Sequence, residues 1–238
     1  MESLMLRNRP VVQVALLAGA FAGLTLCPAA WAGGKSYTID FLGEGAFTTV
    51  ANNYFLPLIP GYFQVLSSAN GKVRVTVTVT DRTKKVGGVE TRIVTEDEEK
   101  DGILIETTDN YEAVSTKTQS VYYFGEYATQ FKDGQAVGHK GSWRAGENGA
   151  TFGMLMPGVA LLGARFQQEN AAPIALDRSE IIKEGVSVTL PAGSFTGCLK
   201  VFDTDGLDLN APPENKIYCA GIGNVVDETL QLTDYGPR

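Results

Sequence analysis

One histidine stands in the 238-residue chain, His139, in the polar stretch Gly138-His139-Lys140-Gly141. Histidine is the commonest general base and metal ligand, so a zinc centre or a serine triad would need partners around it. The sequence holds no G-x-S-x-G elbow, no H-E-x-x-H and no C-x-x-C. The plain reading of His139 is an exposed side chain near a turn. Carboxylates are abundant, which keeps a glycosidase-like pair open by count, yet no spacing singles out two of them. The densest group, five acids in the six residues 96–101, reads as a solvated hairpin turn. Asp203, Asp205 and Asp208 in Asp203-Thr204-Asp205-Gly206-Leu207-Asp208 begin like a calcium loop, since hard cations take several oxygens from a tight turn. Leu207 occupies the place of the next ligand, although Glu214 sits at loop position 12. A turn without metal is the competing reading, and calcium is the one cofactor that the sequence raises. Gly43-Glu44-Gly45 lacks the third glycine and the helix of a dinucleotide site and is a turn. With no assembled acid, base and electrophile, the balance leans away from an enzyme.

Two further residue groups carry information. The rings Tyr122, Tyr123, Phe124, Phe131 and Trp143 are the densest aromatic set. In a strand they alternate faces, so they either wall a cavity or fill the core. Cys198 and Cys219 remain once a leader containing Cys27 is removed, each in a strand-like stretch, with a loop around Asp205-Gly206 and Pro212-Pro213 between them. Antiparallel pairing would join them as a disulfide in an oxidising compartment. Closing that loop would stabilise the fold by about 3 kcal/mol in the chain-entropy model. Two independent buried thiols are the alternative.

That compartment is read from the first 32 residues. Arg7 and Arg9 precede an uncharged, mostly apolar run over 11–26, and Ala30-Trp31-Ala32 supplies the small residues that signal peptidase accepts. Residues 1–32 are thus expected to be a signal peptide and 33–238 one exported domain, periplasmic or secreted. Leu24-Thr25-Leu26-Cys27 also resembles a lipobox, so a lipoprotein anchored through Cys27 is the alternative. The apolar run is too short, and too soon followed by Pro28, for a membrane-spanning helix. Removal of Glu2, Arg7 and Arg9 takes the net charge from −7 to −8, which excludes a basic nucleic-acid surface.

The elements that must position these residues are strands. Valine alternates with polar residues over 73–80, the mark of a half-buried antiparallel strand. Further strands are expected over 89–95, 103–108, 120–124, 127–132, 135–139, 186–190, 194–202, 216–219 and 224–232. Asp133-Gly134 reads as a two-residue hairpin turn. Residues 159–168 read as a short helix, and 174–183 as helix or strand. The fold expected is all-β, a curved antiparallel meander forming an open half-barrel, with a β-sandwich as the alternative.

From about residue 53 to 228 the chain resembles a family of secreted bacterial proteins of unassigned function. The resemblance is carried by Asn53-Tyr54-Phe55-Leu56-Pro57, Val121-Tyr122-Tyr123-Phe124-Gly125, Gly141-Ser142-Trp143-Arg144, Leu190-Pro191-Ala192-Gly193-Ser194-Phe195 with Cys198-Leu199-Lys200, and Tyr218 through Gly221-Ile222-Gly223. Cys219 stands where the family pattern has alanine, and Tyr62-Phe63 where it has tryptophan, the first of which favours the disulfide. By analogy the resemblance implies a half-barrel like that of the LolA lipoprotein carriers and an apolar or lipid-like ligand on the concave face. The expected function is a non-enzymatic exported binding protein. The alternatives are an envelope protein-interaction module and a carboxylate-based glycan hydrolase.

Overall fold

Valines at every second position from Val73 to Val79 give the strand β5 (Val73–Val86) one apolar face over its first half. The computed structural model describes residues 35–41 and 45–237, so the leader, Cys27 and the Gly43-Glu44 turn lie outside the described residues. The strands before it are β1 (Phe47–Thr48), β2 (Ala51–Asn52), β3 (Pro57–Leu58) and β4 (Tyr62–Ser68), and β5 spans Val73–Val86. The long meander continues with β6 (Val89–Lys100), β7 (Ile103–Ser115) and β8 (Val121–Lys132). Short pieces follow: β9 (Gln135–Gly138), β10 (Trp143–Arg144), β11 (Thr151–Met156), β12 (Arg165–Gln167) and β13 (Glu169–Asn170). The chain ends with β14 (Asp177–Leu190), β15 (Gly193–Asp205), β16 (Glu214–Cys219), β17 (Gly223–Asp227) and β18 (Leu230–Pro237). No helix occurs among the described residues.

The ladder runs β12-β14-β15-β16-β17-β18-β4-β5-β6-β7-β8-β11-β13, all antiparallel. The sheet curls into a nearly closed barrel with one unsealed seam between its end strands. Those ends, β12 and β13, are separated in the chain by Gln168 alone. The outer edge of β14 beyond its short partner β12 is interrupted by three bulges between Ile181 and Val188.

Several local expectations are corrected. The acid run is no turn: Glu96 to Glu99 belong to β6, and the turn contracts to Asp101-Gly102, with φ of 51° and 76°. Asp133-Gly134, with the same two angles, closes its hairpin as expected. The two strands expected over 120–124 and 127–132 are one, Val121–Lys132, bent at Gly125, where φ is 117° and a Cβ would collide with the carbonyl oxygen of Trp143. Residues 159–168 form no helix, because Pro157-Gly158 and Gly163 break the run; they make a loop and then β12. Residues 177–183 are strand. The stretch 224–232 is two strands, turned at Glu228 with φ 51°.

Three buried clusters hold the sheet. One, inside the curve, joins Leu58, Val79, Val94, Val114, Val121, Met156, Ile181, Leu199 and Val201. A second lies against Tyr111, Tyr122, Phe124 and Trp143. The third surrounds Cys198 and Cys219, which form a disulfide between β15 and β16 with Cα atoms 4.2 Å apart.

Candidate functional site

Residues opposite each other in a ladder project to the same side of the sheet. Val77 faces Glu96, then Thr108, then Ala128; Val75 faces Glu98, then Glu106, then Gln130. The row Val79, Val94, Asn110, Glu126, Trp143 lies beside them. The valine face of β5 is therefore also the face of Glu96, Glu98, Glu106 and Glu126. On the far wall, Val201, Lys216 and Asp227 form a row, and Leu199, Tyr218 and Asn224 another.

Curvature brings these walls together. Between β6 and β17 lie β5, β4 and β18, so a flat sheet would hold them about 19 Å apart at ~4.8 Å per strand. Yet Glu96 feels the charges of Asp227, Lys216, Glu126 and Glu98, and Tyr218 on β16 feels Glu112 on β7. One half of the interior is thus acidic; the half-buried Lys216 faces it from the far wall, and the buried Arg92 stands opposite Glu112 in the ladder.

The electrostatics follow from enclosure. Burial, and then Glu96, raise Glu112 to about 8. Glu112 is 8% exposed, so water screens it little. Burial and then Asp227 raise Glu96 to about 7, although its side chain is exposed to solvent. Protein surrounds it while water still reaches it, so the firmer pH dependence rests on Glu112. Burial likewise lifts Glu126 to about 7, and burial with Asp177 lifts Glu169 to about 8. Tyr123 Oη lies 2.7 Å from Glu126 Oε2 and 2.5 Å from Asn110 Oδ1. The hydroxyl carries one proton, so it donates either to Glu126 or to Asn110, and the bond to Glu126 favours that carboxylate's charged form against its burial.

The predicted metal residues do not converge. Asp203, 2% exposed, points inward from β15, where Ser179 Oγ donates to it and Gln168 Nε2 lies 3.4 Å away. Lys216 Nζ sits 3.2 Å from Asp203 and 3.6 Å from Asp227. Burial opposes its charge, but Asp227 and Asp203 hold it well above the usual lysine range. Asp205 and Asp208 instead accept from the amides of Leu207 and Asn210, closing Asx turns. Among the described residues no group of three His, Cys, Asp or Glu is placed to hold a metal.

The aromatic set divides as well. Tyr122 and Phe124 point to the opposite face and pack with Phe41, Phe47 and Phe152 at 4.9–5.7 Å between centroids. Tyr123 stands edge-on to Trp143 at 5.5 Å beside the acids. Phe131 is half-buried nearer the β8–β9 turn. His139 stacks on Tyr127, and its Nδ1 donates to the carbonyl of Ala128 at 2.9 Å. A small cavity of about 50 Å³ lies where the apolar and acidic halves meet, lined by Leu56, Leu58, Tyr62, Val77, Val94 and Glu112. Another, of about 120 Å³, lies beside Trp143, Arg144 and Pro173. Either is below the ~300 Å³ of an enclosed drug-sized site. Sequence reasoning missed Glu96, Glu112, Glu126 and Lys216; the available signal was acids at alternate positions, Glu96 and Glu98, in register with valines.

No protein-family model matches the chain, and no characterised protein matches it in sequence. Among solved structures, a predicted lipoprotein of Parabacteroides distasonis is similar over 78% of this chain and 100% of its own, at 12% identity and a TM-score of 0.35. At that score the likeness carries no weight for fold or function.

Proposed function

We propose that the chain is an exported, non-enzymatic binding protein of the bacterial envelope that holds a small cationic amphiphile at the inner face of its curved sheet. The observation that carries this reading is the meeting of acids from β6, β7, β8 and β17 with the apolar residues around Glu112. An amine would pair with the acids, and an apolar body would lie against Leu56, Tyr62 and Val77. The lipid-like ligand expected from the sequence is thereby given a charged end. The disulfide fits an oxidising compartment outside the cytoplasm.

The test is organic extraction of protein recovered from its native envelope, with mass spectrometry of the extract, and calorimetric titration with dodecylamine and dodecanoate. The amine is expected to bind and the acid not. Glu96→Gln with Glu112→Gln is expected to weaken amine binding about tenfold. An empty extract with no amine binding would refute the proposal. Turnover of envelope glycans that Glu112→Gln abolished would replace it with the hydrolase reading.

A further inference from the structure

Glu112 is an acid with nothing to hold its charge. It is 8% exposed, and among the described residues no hydrogen bond or ion pair reaches its carboxyl. The carboxyl lines the cavity of about 50 Å³, whose other walls include Leu56, Leu58, Val77, Val79 and Val94. Two polar side chains share that wall, and both are engaged elsewhere. Tyr62 Oη donates to the carbonyl of Ile222 at 2.8 Å, and Gln64 Nε2 to that of Asn224 at 2.7 Å. A buried carboxylate without donor or cation is costly, so the group keeps a proton or takes a cation from outside.

The cations of the interior are already committed. Arg92 stands opposite Glu112 in the ladder, but its guanidinium is spent on the chain around Thr49 and Thr80-Asp81. Nε donates to the carbonyl of Thr49 at 3.0 Å, Nη1 to those of Thr80 and Asp81 at 3.3 and 2.8 Å, and Nη2 to Thr49 Oγ1 at 3.2 Å. Lys216 lies between Asp203 and Asp227 on the far wall. The other titratable groups that face Glu112 are Glu96 from β6, Tyr62 from β4, Tyr123 from β8 and Tyr218 from β16. Beyond Glu96 stand Asp227 of β17 and Glu126 of β8, and β5 contributes only Val77 and Val79, which do not titrate. Every one of these neighbours is neutral or negative.

A proton and an ammonium therefore compete for the same carboxyl. The ammonium also brings N–H donors to oxygens that have no partner inside the protein. Resting on the amine-binding reading above, we propose that the site exchanges a proton for the ammonium of its ligand and so loads near neutral pH and empties in acid. In the exchange the O–H bond of Glu112 breaks, its proton goes to solvent, and the carboxylate left behind pairs with the R–NH3+ group. One positive charge enters as one leaves, so the charge of the buried group does not change. Burial and then Glu96 keep the Glu112 proton in place up to about 8, and Glu96 follows at about 7. A primary amine keeps its own charge up to roughly 10, so across this window only the acids titrate.

The test is calorimetric titration of the exported protein with dodecylamine in pairs of buffers that differ in heat of ionisation, which counts the protons released per amine bound. At about pH 7.5 close to one proton is expected to leave with each amine, and affinity is expected to fall by about tenfold for each pH unit below about 7. In Glu112→Gln the release at that pH should drop to less than about half, and the dependence of affinity on pH should flatten. Glu99→Gln, whose carboxyl pairs with Arg74 outside the curve, should leave both the proton count and the affinity as they are. The count in the unmodified protein decides even if the Glu112 variant folds poorly. Amine binding without proton release, or equal release in Glu112→Gln, would overturn the exchange and leave the binding reading standing. Absence of amine binding at every pH would overturn both.

Discussion

β8 shows the same backbone solving two opposite problems. On its outer side Tyr122 and Phe124 are 1% exposed and sit among Phe41, Phe47 and Phe152 as a dry aromatic core. On its inner side Tyr123 and Glu126 join a partly wetted group of acids whose protons are held above the usual carboxylate range. Close-packed rings stabilise without regard to pH. Enclosed acids cost stability whenever they ionise. The outer side gives the sheet the means to carry the inner one.

The largest effect is expected from the outer side. Phe124→Ala removes a fully buried ring and should destabilise by about 3–5 kcal/mol, read from chemical denaturation. A loss under about 1 kcal/mol would show that the outer core is loosely packed and erase the contrast. On the inner side, Lys216→Met leaves the buried Asp203 carboxylate without its cation and should cost about 3 kcal/mol near neutral pH. Pairing it with Asp203→Asn should recover most of that loss, because the isolated charge, rather than the lost contact, is the penalty.

The remaining effect is a dependence on pH. Glu112 holds its proton up to about 8 when folded, against an ordinary carboxyl near 4.5 when unfolded. The folded state therefore binds more protons over that window, and stability present below the ordinary value is lost as pH rises through about 8. The melting temperature should fall from pH 5 to pH 9, and Glu112→Gln should flatten the fall while raising stability at the alkaline end. An unchanged slope in that variant would show that Glu112 is solvated like a surface residue.

How much of this was legible depended on distance along the chain. The valine alternation of β5, the Asp133-Gly134 turn and the pairing of Cys198 with Cys219 are local or nearly so, and the residues themselves carry them. The acid run misled because consecutive charges usually mark a solvated turn. Here alternation separates them: Glu96 and Glu98 go inward, while Asp97 accepts from Thr107 at 2.7 Å and Glu99 meets Arg74 at 3.3 Å outside. Asp203 resembled a cation ligand because its neighbours do form Asx turns. Its true partner, Lys216, is specified only by the β15–β16 register. The meeting of Glu96 with Asp227 needs the curvature of four strand spacings, which no sequence window contains. A charged end on the ligand, by contrast, was never in the sequence reading: the apolar ligand expected there rested on the family analogy and on aromatics that the fold distributes to two faces.

The two ends of the sheet have a further meaning for how the molecule meets others. A sheet this wide would ordinarily offer a long row of unpaired amides and carbonyls to any extended strand nearby. Here the terminal strands have three and two residues. The uncovered part of β14 is broken by bulges and carries Lys183 and Glu184. Strand addition from a neighbour finds no continuous template there. Crowded copies of the chain are thereby kept from growing edge to edge.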